Sequence, residues 1–117
     1  MKQLVELQSL IPANHQADTL VVAVSPDPLE DCKKSVQTVT ARSGTPFRLT
    51  LLSDSAHKVI DLYGLRNDEE AANGNFVPFP TTYVIDGSGK VRWRFNEKNQ
   101  AVRPSNQAIL AEAKKLW

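Results

Sequence analysis

The segment 19–25 constrains the fold of this chain more than any other, because it is a short and continuous apolar run. It reads Thr-Leu-Val-Val-Ala-Val-Ser, and most of its residues are β-branched. Runs of this kind are typical of strands buried on both faces, as in parallel sheets. We therefore expect a strand here that is covered on both sides.

Amphipathic helical patterns lie on both sides of this strand. Leucine and isoleucine side chains recur at helical spacing and predict a helix over 2–11. The segment 27–30, Asp-Pro-Leu-Glu, is a helix-start signal, with Asp27 as the cap and Pro28 at the first helical position. This second helix runs to about Arg42, and one of its faces carries Leu29, Cys32, Val36 and Val39.

The alternation of strands and helices continues along the chain. A second strand is expected over 47–52, and Ser-Asp-Ser at 53–55 caps a short helix that ends at Gly64. Residues 65–79 are expected to form one long irregular segment. Loops of such length in compact domains are often functional.

A hairpin and a closing helix complete the pattern. The strands 80–86 and 90–95 are joined by the turn Gly-Ser-Gly at 87–89, and Ser105 caps the last helix. The predicted order is α-β-α-β-α-β-β-α, with the first two strands parallel and the last two antiparallel. This is an α/β fold with a mixed sheet flanked by helices.

Composition excludes several classes of protein. The 117 residues suit one domain, 1–117, and the net charge of +1 gives no support for nucleic-acid binding. No apolar stretch reaches the length of a membrane span, and the first ten residues do not resemble a signal peptide. We expect a cytoplasmic protein that binds neither nucleic acid nor membrane. Its single cysteine excludes an internal disulfide.

Four segments of the chain stand out by their residues and spacing: 21–27 (Val-Val-Ala-Val-Ser-Pro-Asp), 47–54, 59–65 (Val-Ile-Asp-Leu-Tyr-Gly-Leu) and 80–86 (Pro-Thr-Thr-Tyr-Val-Ile-Asp) followed by Gly89-Lys90. Together they resemble the alkyl hydroperoxide reductase/thiol-specific antioxidant family, the redoxin or peroxiredoxin-like branch of the thioredoxin-like superfamily. The resemblance covers residues 2 to about 95. It implies a thioredoxin-like layout that lacks its first strand.

The resemblance also implies where the redox cysteine belongs. Members of the family present it at the N-terminus of the first helix, in Pro-x-x-x-Thr/Ser-x-x-Cys or Cys-x-x-Cys, where helix N–H groups stabilise the thiolate. Here the first helix begins at residues 1–3. We therefore expect the motif to lie before residue 1, and the domain to be N-terminally truncated and inactive by that route.

Two residues of this chain are candidate site residues. Cys32, the only thiol, could be a nucleophile or a resolving cysteine, but its apolar helix face and its acidic neighbours favour core packing. By resemblance, Pro80 is a cis-proline that would form one wall of the thiol site. Neither His15 nor His57 has metal-ligand spacing around it. We expect no metal and no cofactor.

The predicted function is that of a peroxiredoxin-like thiol oxidoreductase domain, which reduces hydroperoxides and serves antioxidant defence and cell redox homeostasis in complete members. Whether this chain is itself an enzyme stays open. One alternative is a thiol-disulfide oxidoreductase-type domain, which the proline before Thr81 favours. The expected partners are a hydroperoxide or a protein disulfide as substrate and a thiol reductant such as a thioredoxin.

A further alternative is a non-catalytic binding or dimerisation module on the same scaffold. Without the first strand of the fold, a sheet edge is left unpaired, and such edges pair readily with another chain. This alternative predicts a homodimer through the exposed sheet edge.

Overall fold

The structure is a computed structural model that describes residues 2–44, 49–69, 74, 78–96 and 103–117. Apart from the helical residues 68 and 69, its elements follow the predicted order α-β-α-β-α-β-β-α, with a short 3-10 turn at Ala13–His15. They are α1 (Lys2–Leu10), β1 (Val22–Ser25), α2 (Leu29–Ser43), β2 (Thr50–Ser53), α3 (Lys58–Leu62), β3 (Thr81–Ile85), β4 (Val91–Asn96) and α4 (Asn106–Lys114). The fold is mixed α/β with small sheets, as expected for part of a thioredoxin-like domain.

The chain divides into two compact units, Met1–Ile60 and Asp61–Trp117. Each unit contains one two-stranded sheet, β1–β2 in the first and β3–β4 in the second. The first pair is parallel and the second is antiparallel, as the sequence predicted.

Among the described residues, strands β1 and β2 are covered on one face only. In the parallel register, Ala23 lies opposite Leu51 and Val24 opposite Leu52. Ala23 and Leu51 are partly buried, whereas Val22, Val24 and Leu52 are 45%, 47% and 48% exposed. The expectation of a strand buried on both faces is therefore wrong. Helix α2 packs on β2, and side chains alternate between the faces of a strand, so the opposite face stays in solvent.

The start of α2 differs from the prediction by one position. Pro28 occupies the N-cap, and no side chain caps the helix, so Asp27 is not the cap. Instead, the backbone carbonyl of Asp27 accepts a hydrogen bond from the Ser53 hydroxyl. The helix ends at Gly44, whose φ of 65° is favourable for glycine and whose N–H donates to the carbonyl of Thr40.

The capping of α3 by the Ser-Asp-Ser segment is confirmed. One carboxylate oxygen of Asp54 accepts from the N–H of Lys58 at 3.0 Å, and the other accepts from the N–H of Ile60 at 2.8 Å. Ile60 and Leu7 are among the buried apolar residues of the first unit. Strand β2 begins at Thr50, while residues 47 and 48 of the predicted strand lie outside the described residues.

The second unit is built on the predicted hairpin. The register runs from Thr81 opposite Asn96 to Ile85 opposite Val91, with an irregularity between Val84 and Ile85. Trp93 and Phe95 are partly buried with ring centroids 6.2 Å apart, but Val91 is exposed. A bulge changes the direction of side chains beyond it, which accounts for the exposure of Val91.

The closing helix α4 begins as predicted. The hydroxyl of Ser105 accepts a 3.1 Å hydrogen bond from the N–H of Ala108. This helix packs against β3. The cap and the packing together fix the start and the position of α4 within the second unit.

The segment predicted to be irregular over 65–79 is described only in part. Residues 68 and 69 are helical, so the prediction is wrong there. Phe79 donates its N–H to the carbonyl of Leu65 at 2.8 Å. Residues 70–73 and 75–77 lie outside the described residues.

The prediction that Pro80 is a cis-proline is wrong. The described residues contain no cis peptide bond, so the bond between Phe79 and Pro80 is trans. The trans form is preferred by about 0.5–1 kcal/mol before proline. The residue before a proline also favours extended backbone, and Pro80 leads directly into β3 at Thr81.

Candidate functional site

Cys32, the sole thiol of the sequence, lies in the second turn of α2 and is only 4% exposed. It is a free cysteine, and its sulfur donates to the backbone carbonyl of Asp27 at 3.7 Å. Reactive cysteines require an accessible and electropositive setting. This cysteine instead occupies the position of a small core residue.

A shallow cavity of about 270 Å³ opens beside this thiol, between α2 and β2. Its walls are mostly apolar, and Lys33 is the cationic residue among them. The lining residues are Leu29, Cys32, Lys33, Val36, Gln37 and Leu51. The cavity has the character of loosely packed core rather than of a site that stabilises a thiolate.

Hydroxyl and backbone groups meet at the carboxyl ends of β1 and β2. Ser25 and Ser53 are opposite each other in the parallel register. The Ser25 hydroxyl accepts from the N–H of Asp27 at 3.1 Å, and the Ser53 hydroxyl donates to the carbonyl of Asp27. These bonds hold the β1–α2 connection against the end of β2. In α/β folds, this end of a parallel sheet is where ligands commonly bind.

The buried Asp54 directly follows β2, and its carboxylate caps α3. Because both oxygens accept backbone N–H groups, the group is a capping residue and not a free acid or base. Asp54 also lines a second cavity of about 570 Å³, whose walls are largely apolar and whose other polar residues are Ser53 and Ser55.

Asp86 organises the hairpin turn of the second unit. Its carboxylate accepts from the hydroxyl of Ser88 at 2.6 Å, from the N–H groups of Ser88 and Lys90, and from Nε of Arg92. These donors, the Ser88 hydroxyl above all, hold the pKa of Asp86 well below its ordinary value. The sequence placed Asp86 at the end of the strand before the turn 87–89 and missed Arg92 as its partner, although the spacing Asp-x-Ser-x-Lys-x-Arg places the donors on one side of the turn.

An exposed ion pair joins Asp61 of α3 to Arg66 beyond the end of the helix. Two nitrogens of the Arg66 guanidinium, Nε and Nη2, donate to the carboxylate of Asp61 at 2.7 and 2.6 Å. The hydrogen bonds that Arg66 donates to Asp61 raise the pKa of Arg66. Sequence reasoning did not find this pair, because a separation of five residues across a helix end has no regular pattern. Exposed pairs of this kind contribute little to stability.

The two predicted site residues fall in different units, Cys32 in the first and Pro80 in the second.

Among the described residues, no group of three or more His, Cys, Asp or Glu side chains is arranged to hold a metal ion. No helix in the described part of the chain has the length and apolar character needed to cross a membrane.

Comparison with protein families gives a match to the AhpC/TSA family over residues 1–94. The chain belongs to the AhpC/TSA family. The match spans α1 through most of β4 and includes all four segments on which the resemblance rested. A comparison with curated proteins found no match.

Membership of the AhpC/TSA family makes this a domain of the thiol peroxidase or redoxin type. Helix α1 contains no cysteine. Cys32 lies in α2, near the carboxyl end of β1. The described geometry gives Cys32 the surroundings of a packed residue.

Proposed function

We propose that this chain is a peroxiredoxin-like thiol oxidoreductase domain, of the kind that reduces hydroperoxides. The supporting observation is the family match over residues 1–94. In that reaction a cysteine thiolate attacks one peroxide oxygen, an S–O bond forms and the O–O bond breaks. The sulfur is oxidised, and water or an alcohol leaves after protonation. A second thiol then condenses with the sulfenic acid, giving a disulfide and water.

The reactive thiol of this reaction is not Cys32. Its burial denies a peroxide access, and its sulfur is directed at the carbonyl of Asp27. The sequence contains no second cysteine to resolve a sulfenic acid. We accordingly propose that this chain by itself does not turn over hydroperoxides, and that the family reaction uses an external thiol such as a thioredoxin as reductant.

Peroxide consumption with dithiothreitol as reductant tests this proposal. The chain and its Cys32→Ser variant should consume hydrogen peroxide at the same rate, equal to that of dithiothreitol alone. Rapid turnover that disappears in Cys32→Ser would make Cys32 the peroxidatic residue and would overturn the assignment.

Thiol labelling separates a buried cysteine from one that is accessible but slow toward peroxide. With an aromatic disulfide reagent, the native chain should react slowly. The chain unfolded in guanidinium should react at once and release one equivalent of aromatic thiolate from the reagent. Labelling of the native chain as fast as the unfolded chain would contradict the burial of Cys32.

A thiol-disulfide oxidoreductase-type domain is the second candidate within the same chemistry. Pro80, immediately before Thr81, is the residue that favours it. The peptide bond before Pro80 is trans, whereas the resemblance to that branch implied a cis bond. Reduction of insulin disulfides by the chain, above the rate of dithiothreitol alone, would favour this candidate over the peroxidase.

A candidate of a different class is a dimerisation module that uses the free edge of β1. Among the described strands, β1 pairs with β2 alone. The carbonyls of Val21 and Ser25 accept hydrogen bonds from the β2 side, at Thr50 and Asp54. Because successive residues of a strand direct their backbone groups to opposite edges, the N–H groups of Val22 and Val24 lie on the edge away from β2. An unprotected edge of this kind accepts another strand.

The substitution Val24→Pro tests the edge without breaking the β1–β2 ladder, because proline removes an N–H that β2 does not use. Val24→Ala is the matched control, since it shortens the side chain but keeps the N–H. In sedimentation velocity, the native chain and Val24→Ala should be dimers and Val24→Pro a monomer, all with the same circular dichroism. A native chain that stays monomeric as its concentration rises, or a Val24→Pro variant that is folded and dimeric, would exclude the edge of β1 as a dimer interface.

The antioxidant role, the place in cell redox homeostasis and the cytoplasmic location are parts of this proposal. They follow from the family chemistry, since thiol-dependent reduction needs a compartment that keeps its thiols reduced.

A further inference from the structure

We draw no further inference here: the strongest candidate, the shallow cavity between α2 and β2 beside Cys32, rests on a lone buried cysteine, and no second feature of the described residues points to a ligand there.

Discussion

The carboxylate of Asp54 accepts a 2.8 Å hydrogen bond from the backbone N–H of Ile60, and both residues are buried. The other carboxylate oxygen accepts from Lys58, so one side chain satisfies two of the N–H groups that every helix start leaves without a helical partner. This bond connects the end of β2 to the start of α3. It also places Ile60 in the core of the first unit.

Loss of this cap should destabilise the chain. Replacement of Asp54 by alanine leaves the N–H groups of Lys58 and Ile60 without their acceptor, and loss of an N-terminal cap costs about 0.5–2 kcal/mol. Urea unfolding should therefore show a free energy of unfolding lower by about that amount for Asp54→Ala. Ser55→Ala, at an exposed neighbouring position, is the control and should change the value by less than about 0.5 kcal/mol. Equal effects of the two substitutions would refute the capping role.

His57 has a φ of 59°, in the left-handed region that non-glycine residues rarely adopt. Its N–H donates to the carbonyl of Asp54, which keeps the backbone in this turn. The variants His57→Gly and His57→Ala both remove the imidazole, but only glycine adopts this φ without strain. We expect His57→Gly to be more stable than His57→Ala by about 1 kcal/mol in urea unfolding. If His57→Ala were the more stable variant, the turn would not hold the left-handed conformation.

The hairpin turn at Asp86 should respond to pH. Because hydrogen bonds from Ser88, Lys90 and Arg92 hold its pKa below the ordinary value of 3.8, folding favours the ionised form. The resulting stability is fully present above that ordinary value and is lost as the pH falls from it toward the lower folded pKa. In Asp86→Asn the stability loss should be largest near neutral pH and should shrink at acid pH.

Urea unfolding of the native chain and of Asp86→Asn, at neutral pH and again at acid pH, measures this difference. Glu69→Gln, which neutralises an exposed carboxylate in the same unit, is the control for a general charge effect. A difference between Asp86→Asn and the native chain that is constant across the pH range would rule out the linkage.

Ile60 and Leu62 are both apolar residues of α3, but they differ in burial. Ile60 is 4% exposed and Leu62 is 82% exposed. Truncation of a buried isoleucine removes packed methyl groups and leaves a cavity, at a cost of about 2–5 kcal/mol. Ile60→Ala should lower the free energy of unfolding by that order, and Leu62→Ala by less than about 0.5 kcal/mol. Similar losses for both variants would mean that α3 packs through a different face.

Local sequence signals predicted those parts of the structure that depend on near neighbours. The caps formed by Asp54 and Ser105 and the C-terminal glycine Gly64 follow from backbone geometry within a few residues. The hairpin joined at 87–89 is of the same kind. The sequence also predicted that Cys32 would be packed, because its helical spacing placed it with apolar residues.

Burial of the strands was less predictable. The run 19–25 has the composition of a strand covered on both faces, yet Val22 and Val24 are nearly half exposed. The composition of a segment indicates which side chains favour burial. It does not indicate which helices or strands pack against them. The peptide bond before Pro80 was mispredicted for a related reason, since its isomer depends on the surrounding backbone.

The sequence by itself determined the family, the order of the helices and strands and the local caps, because these depend on residue types at short and regular spacing. The tertiary structure alone decided that the thiol of Cys32 is directed at the carbonyl of Asp27, that Arg92 joins the Asp86 turn, and that one face of β1–β2 is exposed. Each of these depends on the packing of elements whose separation along the chain has no fixed pattern. Packing is decided by the contacts that all the elements make together, and no local spacing encodes it.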